Sequence, residues 1–95
     1  MNKTERAFQE HLRTLGWPHV HREGLTLRLA RNTRYTPDFI TTNGPGEQIV
    51  AWEVKGFWRD DARVKIKVAA SLYPWIVFIA VRRVKGSWEQ EEIRP

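Results

Sequence analysis

The sequence contains no cysteine, a single methionine and no apolar run long enough to cross a membrane. Without cysteine, the chain can form neither disulfides nor thiolate metal sites, so any metal ion would be held by carboxylate oxygens or histidine. The N-terminal residues are polar and do not resemble a signal sequence. These absences favour a cytoplasmic protein with no membrane partner.

The length and the net charge of the chain indicate its structural class and the kind of molecule that it binds. The chain has 95 residues, 41% of them hydrophobic and 28% charged, which predicts a single domain over residues 1–95 with one modest core. Lysine and arginine outnumber the acidic residues 16 to 11, for a net charge of +5. A small basic domain favours a polyanionic partner, and nucleic acid is the first candidate.

Hydrophobic periodicity predicts two helices and four strands. The helices are expected over residues 3–15 and 59–73, and the strands over residues 25–31, 34–41, 49–55 and 75–81. The acidic tail, residues 87–95, is expected to be a short helix or a frayed end. The order is helix, three-stranded meander, helix and strand. It predicts an α/β domain whose central mixed sheet is flanked by helices, with the last strand parallel to its neighbour.

Charged side chains interrupt two of the predicted strands. Asp38 and Glu53 are symmetric about the Pro45-Gly46 bond of a turn-forming segment, so a symmetric hairpin brings them face to face, with Cβ atoms roughly 4.5–5.5 Å apart. A divalent cation would turn their repulsion into coordination. Lys55 shares a strand face with Glu53 because side chains alternate. The plain alternative is a hairpin with a solvated, charged face.

Two further candidates for a metal site come from the N-terminal third of the chain. Glu5 lies on the apolar stripe of the first helix, and an acid there could reach a site near the sheet. The residues of that stripe, which are expected to pack in the core, are Phe8, Leu12 and Leu15. Alternatively, Asn2 is the N-cap and Glu5 completes a capping box. His19 and His21 lie on one face of a strand, but ordinary surface histidines explain them better than metal ligands do.

Basic and aromatic residues supply candidates for nucleic-acid binding. Arg28, Arg31 and Arg34 cluster near one predicted strand, where they either contact phosphates or form a solvated face. Trp58, beside Arg59, is the best candidate for base stacking, and the other four tryptophans are expected in the core. On the second helix Lys65 and Lys67 point about 200° apart, so at most one of them faces the site.

The element order, with Pro37-Asp38 on one strand and Glu53-Val54-Lys55 on the next, resembles the PD-(D/E)XK nuclease superfamily. It is most similar to short phage-type endonucleases and Holliday-junction-resolvase-like members. The resemblance covers residues 3 to about 82. It implies a restriction-endonuclease-like core in which Glu5, Asp38, Glu53 and Lys55 are catalytic. It also implies that the three acids bind Mg²⁺, with Mn²⁺ able to substitute, and that Lys65 or Lys67 contributes from the second helix.

The activity implied by the resemblance is metal-dependent endonucleolytic hydrolysis of DNA. The expected substrates are junctions, flaps or nicks in phage or mobile-element DNA, in the bacterial host cytoplasm if a phage encodes the chain. A homodimer is expected by analogy, because cutting two strands needs two sites. One alternative is a nucleic-acid-binding accessory module on the same fold with weak or partner-dependent catalysis. Another is a basic structural protein with an incidental charged hairpin.

Overall fold

The computed structural model describes residues 1–56 and 60–95. The two helices of the described residues are α1 (Lys3–Thr14) and α2 (Asp60–Leu72). The strands are β1 (His19–Arg22), β2 (Leu27–Ala30), β3 (Thr33–Tyr35), β4 (Phe39–Thr42), β5 (Ile49–Val54), β6 (Ile76–Val84) and β7 (Ser87–Ile93). Neither helix is long and apolar enough to span a membrane.

Five strands form the main sheet in the order β1-β4-β5-β6-β7. Strands β5 and β6 pair in parallel, and the other neighbours pair antiparallel. Helix α2 is the crossover between the two parallel strands, as such a connection requires. The general prediction of an α/β domain with a mixed sheet and two helices is confirmed.

Each face of the sheet buries a different helix, because alternate side chains of a strand point to opposite faces. On one face, Phe8 and Leu12 of α1 pack against Phe39 and Trp52. On the other, the inward face of α2, including Ile66, packs with strand residues from β4, β5 and β6. The prediction of a helix over residues 59–73 is therefore confirmed for residues 60–72.

The first helix begins and ends close to the predicted positions. Asn2 is its N-cap, and the side-chain oxygen of Asn2 accepts a hydrogen bond from the backbone N–H of Glu5 at 2.8 Å. Phe8 and Leu12 are fully buried, as predicted. The prediction that Leu15 packs in the core is wrong. Leu15 is the C-cap of α1 and is 55% exposed, because the chain has already left the helix there.

The hairpin of β4 and β5 has the predicted symmetric register. Phe39 pairs with Trp52, and the next two pairs follow without a slip. The turn contains Gly44 and Gly46, both with positive φ, which residues with a Cβ adopt at a cost. The two glycines thus allow the turn that sets the register of the hairpin, and with it the position of Asp38 relative to Glu53.

The predicted three-stranded meander is wrong. The segment predicted as one strand over residues 34–41 is divided at Pro37 into β3 and β4, which belong to different sheets. Proline lacks an N–H and restricts the residue before it, so a continuous ladder cannot pass through it. Strand β2 pairs with β3 in a separate two-stranded sheet, the β2–β3 ribbon, and β1 takes the place beside β4.

The C-terminal tail is neither a short helix nor a frayed end: most of it is strand β7, paired with β6. The two-residue turn is Lys85-Gly86, and both residues have positive φ (51° and 80°). That combination matches the twist of the flanking strands and closes a tight hairpin. Trp75, predicted to begin the buried strand, precedes β6 and is 64% exposed.

Candidate metal and nucleic-acid site

Asp38 lies between β3 and β4, where the chain passes from the β2–β3 ribbon into the main sheet. The Oδ2 atom of its carboxylate accepts a hydrogen bond from the backbone N–H of Val54 at 2.8 Å. The backbone oxygen of Asp38 accepts a second hydrogen bond, at 2.9 Å, from the N–H of Glu23, the residue that follows β1. The neighbouring Pro37 is buried and holds φ fixed. Asp38 is therefore fixed at the point where three strands end.

Glu53 is the next-to-last residue of β5 and is 7% exposed. Its Oε1 accepts a hydrogen bond from the hydroxyl of Tyr35 at 2.6 Å, and its Oε2 lies 3.0 Å from Nζ of Lys55. The alternation along β5 thus places Lys55 beside Glu53, as predicted. A buried carboxylate needs such partners, because burial of an unpaired charge is costly.

The two carboxylates interact electrostatically in the way the hairpin register predicts. Burial, followed by the negative charge of Glu53, raises the pKa of Asp38 to about 7. The hydrogen bond from Val54 and the charge of Lys55 act in the opposite direction but are weaker. At neutral pH Asp38 is therefore poised between its two protonation states, which is typical of functional carboxylates.

Lys55 and Tyr35 both stay protonated in this environment. Burial acts to lower the pKa of Lys55, but its hydrogen bond to Glu53 and the charges of Glu53, Asp38 and Glu5 outweigh that, so the pKa is raised. Burial and the adjacent Glu53 raise the pKa of Tyr35 far above its usual value. Lys55 is therefore an electrostatic group, and Tyr35 is a permanent hydrogen-bond donor.

The structure shows one half of the expected capping box at Glu5 and places its charge near the candidate site. Its backbone is capped by Asn2, and its half-buried side chain is near enough to raise the pKa values of Asp38 and Lys55. Helix α1 packs on the face of the sheet opposite to that of α2. Glu5 adds a second negative charge, after that of Glu53, to the surroundings of Asp38.

Comparison with protein-family models, with curated proteins and with solved structures found no match. What the site can do is consequently argued from its own side chains. Two carboxylates, one of them with a raised pKa, and one cation are concentrated at a single end of the sheet.

The fit of a divalent cation can be judged from this donor set. Among the described residues, no three His, Asp or Glu side chains are grouped closely enough to form a metal centre. Asp38 and Glu53 supply oxygen ligands, and magnesium needs only one or two carboxylates because it keeps several waters. A cation beside Asp38 would favour its ionised form, and would so offset the burial and the repulsion from Glu53 that raise its pKa. The donor set therefore fits Mg²⁺ or Mn²⁺.

A cleft of about 230 Å³ opens over the buried acid. Its lining includes Glu53, Lys55, Tyr35 and Lys65. Lys67 lies elsewhere, near enough to Glu91 of β7 to help lower the pKa of that residue. Of the two lysines that the sequence could not separate, Lys65 therefore lines the cleft and Lys67 does not.

The three candidate arginines lie on or beside the β2–β3 ribbon, and all are exposed. Arg28 pairs directly across the ribbon with Arg34, and Arg31 is in the connecting turn. The ribbon packs against α2: the hydroxyl of Tyr73 donates a hydrogen bond to the backbone oxygen of Arg28 at 2.7 Å. Strand β3 thus carries Tyr35, which lines the cleft, next in sequence to exposed Arg34.

Some sequence candidates lie away from this region or outside the described residues. Trp58 and Arg59 lie outside them. His19 and His21 stack on exposed β1 with parallel rings 6.4 Å apart, and they join no metal centre among the described residues. Of the other tryptophans, Trp52 is buried, Trp17 and Trp88 are half-buried, and Trp75 is exposed.

Tyr35 is the site residue that sequence reasoning missed. The only signal for it was an aromatic residue three positions before Asp38 in an otherwise polar segment. Its role depends on the ribbon folding back over α2, which no local pattern predicts.

Proposed function

We propose that this chain is a metal-dependent DNA endonuclease with a restriction-endonuclease-like core of the PD-(D/E)XK type. The observation that carries the proposal is the hairpin register that places Asp38 and Glu53 at one end of the sheet, where Glu53 raises the pKa of Asp38 and Lys55 is paired to Glu53. The crossover of α2 between parallel β5 and β6 agrees with such a core. A carboxylate whose pKa is raised by burial and by a neighbouring acid is costly to the folded state, so the arrangement favours function.

Asp38 and Glu53 would hold Mg²⁺ or Mn²⁺, and Glu5 would complete the site directly or through water. When bound, the cation would polarise a phosphate and make a nearby water more acidic. The resting arrangement of the acids supports this assignment. Each has an anchoring hydrogen bond, from Val54 to Asp38 and from Tyr35 to Glu53.

The chain's own groups would position the scissile phosphate and the attacking water. Protonated Lys55 would offset charge that builds on the phosphate and would orient the water, because its raised pKa rules out a role as general base near pH 7. Lys65, across the cleft, would hold a phosphate oxygen. Tyr35 would keep Glu53 in one rotamer by donating its hydroxyl proton.

The test is a plasmid-nicking assay with Mg²⁺ or Mn²⁺ on the native chain, Asp38→Asn and Glu53→Gln. Cleavage by the native chain and a loss of at least 100-fold in both variants are expected. The matched control is Glu10→Gln, the same isosteric change on the exposed side of α1. Equal cleavage by all four proteins would end the proposal. A panel of labelled duplex, nicked, flap and four-way substrates then identifies the preferred DNA structure.

The second candidate is a nucleic-acid-binding accessory module with weak or partner-dependent catalysis. The absence of a three-ligand metal centre among the described residues favours it. Calorimetric titration with Mn²⁺ separates the two. Tight Mn²⁺ binding that Asp38→Asn abolishes supports the nuclease, whereas DNA binding with neither Mn²⁺ binding nor cleavage supports the module.

A further inference from the structure

The β2–β3 ribbon has two chemically different faces. Leu27 pairs with Tyr35 on the face that packs towards α2, and Leu27 is buried. The next pair along, Arg28 and Arg34, belongs to the opposite face and is exposed. Arg31 lies in the turn at the tip. Leu25–Thr36 contains no acidic residue.

The pairing of Arg28 with Arg34 is unfavourable for the isolated chain, because like charges directly opposite on two strands repel. No described acid forms an ion pair with Arg28, Arg31 or Arg34. Two arginines on or beside β6 and β7 differ, because they pair with glutamates: Arg82 with Glu89 and Arg94 with Glu92. The ribbon thus keeps its charge available for an external anion.

The ribbon is held rigidly beside the cleft. The hydroxyls of Thr26 and Thr36 are hydrogen-bonded at 2.8 Å across its base, and Tyr73 anchors the backbone of Arg28. Arg34 is adjacent in sequence to Tyr35, whose hydroxyl contacts Glu53. The outward face and the face that contacts Glu53 are therefore the two sides of one ribbon.

We infer that the outward face of the β2–β3 ribbon lies in the major groove of duplex DNA while a neighbouring phosphate occupies the cleft. This inference rests on the proposed function and names its substrate as B-form duplex. A two-stranded ribbon fits that groove, which is about 12 Å wide. The major groove of A-form RNA is too narrow. Single strands are usually held by aromatic stacking, and the outward face carries threonines and arginines instead.

Binding measured in EDTA tests the inference separately from catalysis. Fluorescence anisotropy compares a labelled 20-base-pair DNA duplex, the same single strand and the matching RNA duplex. The native chain should bind the DNA duplex at least tenfold more tightly than either alternative. Arg28→Ala and Arg34→Ala should each weaken duplex binding about tenfold. Arg94→Ala, which removes an arginine from the far edge, should change it less than twofold.

Arg34→Glu separates loss of contact from loss of fold. It replaces the repulsive cross-strand pair with an attractive one, so the melting temperature should stay the same or rise while duplex binding falls at least tenfold. A fall in melting temperature with unchanged binding would overturn the inference, as would equal affinity for duplex and single-stranded DNA. Preferential binding to the RNA duplex would replace DNA with RNA as the partner. Normal duplex binding without cleavage in Mg²⁺ would overturn the proposed nuclease but leave this inference standing.

Discussion

At Asp38 the fold holds a carboxylate where its neutral form is favoured at mildly acidic pH. Burial and Glu53 raise its pKa to about 7, far above that of an unfolded chain. Between about pH 4 and pH 7 the folded state therefore binds a proton that the unfolded state has released. By linkage, this group makes the protein less stable as pH rises through that window.

Asp38→Asn should remove that loss of stability. In EDTA at pH 8 the variant is expected to exceed the native chain in free energy of unfolding by roughly 1–2 kcal/mol, after allowance for solvent screening. Urea unfolding from pH 4 to pH 8 measures this, with Glu10→Gln as the matched control. A variant less stable than the native chain at pH 8 would show that the hydrogen bond from Val54 outweighs the repulsion.

Tyr35 is expected to support metal binding by holding Glu53 in position, rather than by contacting DNA. Tyr35→Phe removes the hydroxyl that donates to Oε1 of Glu53, so Mn²⁺ affinity should fall about 10- to 100-fold, the range seen when groups that orient metal ligands are lost. Calorimetry measures this affinity. Tyr73→Phe is a close control, because it removes a hydroxyl from the same interface of ribbon and helix without touching the acids. Equal affinities in both variants would remove Tyr35 from the site.

The placement of Asp38, Glu53 and Lys55 was predictable because it depends on two local rules, the symmetric closing of a glycine-rich turn and the alternation of side chains. Tyr35 and Lys65 were not predictable in the same way. Their positions depend on how the ribbon and α2 are rotated against the sheet, and the packing of whole elements sets that rotation.

The same difference between local and long-range rules appears at the scale of elements. The strand predicted over residues 25–31 is confirmed by β2, but its place in a meander of the main sheet was wrong, because alternation does not determine which sheet a strand joins. Strand β7 was missed because its side chains are mostly polar, and most of them are exposed. Its one local signal was Lys85-Gly86 between alternating residues, a pair that suits a two-residue hairpin turn.

Gly86 is expected to stabilise that hairpin. Gly86→Ala forces a residue with a Cβ to adopt a φ of about 80°, so the free energy of unfolding should fall by about 1 kcal/mol. Thermal or urea unfolding measures the change. Lys85→Gly is the reversed control, since Lys85 already has a positive φ and glycine there should be neutral within about 0.5 kcal/mol. A neutral Gly86→Ala would contradict this account of the turn.

Helix α2 presents two lysines to different surroundings. Lys65 lines the cleft, whereas Lys67 is on the flank near β7. Lys65→Ala should therefore slow DNA cleavage about tenfold, and Lys67→Ala should change it less than twofold. Both variants lose one positive charge from the same helix. A difference between their cleavage rates is therefore due to the position of the lysine and not to the net charge of the protein. Initial rates at saturating DNA measure it, and equal losses would mean that only overall charge matters.

Across the whole molecule, charge is segregated. The glutamates of β7 are paired with Arg63, Arg82 and Arg94, which neutralises that edge of the sheet. Arg28, Arg31 and Arg34, which form no ion pair with a described acid, lie on or beside the ribbon. These three positive charges lie on one element, where together they would help to orient DNA before contact.

One chain carries one such site, so the two strands of a duplex must be cut by two chains or in two events. If two chains assemble on one duplex, as the expected homodimer requires, nicking should rise in proportion to protein concentration and linearisation with its square, below the dimer dissociation constant. Time courses of supercoiled, nicked and linear plasmid at several protein concentrations measure both orders. Sedimentation with and without a short duplex provides the control for assembly. Linearisation that rises only in proportion to protein, from a chain that sediments as a monomer on DNA, would mean that single chains cut the strands one after the other.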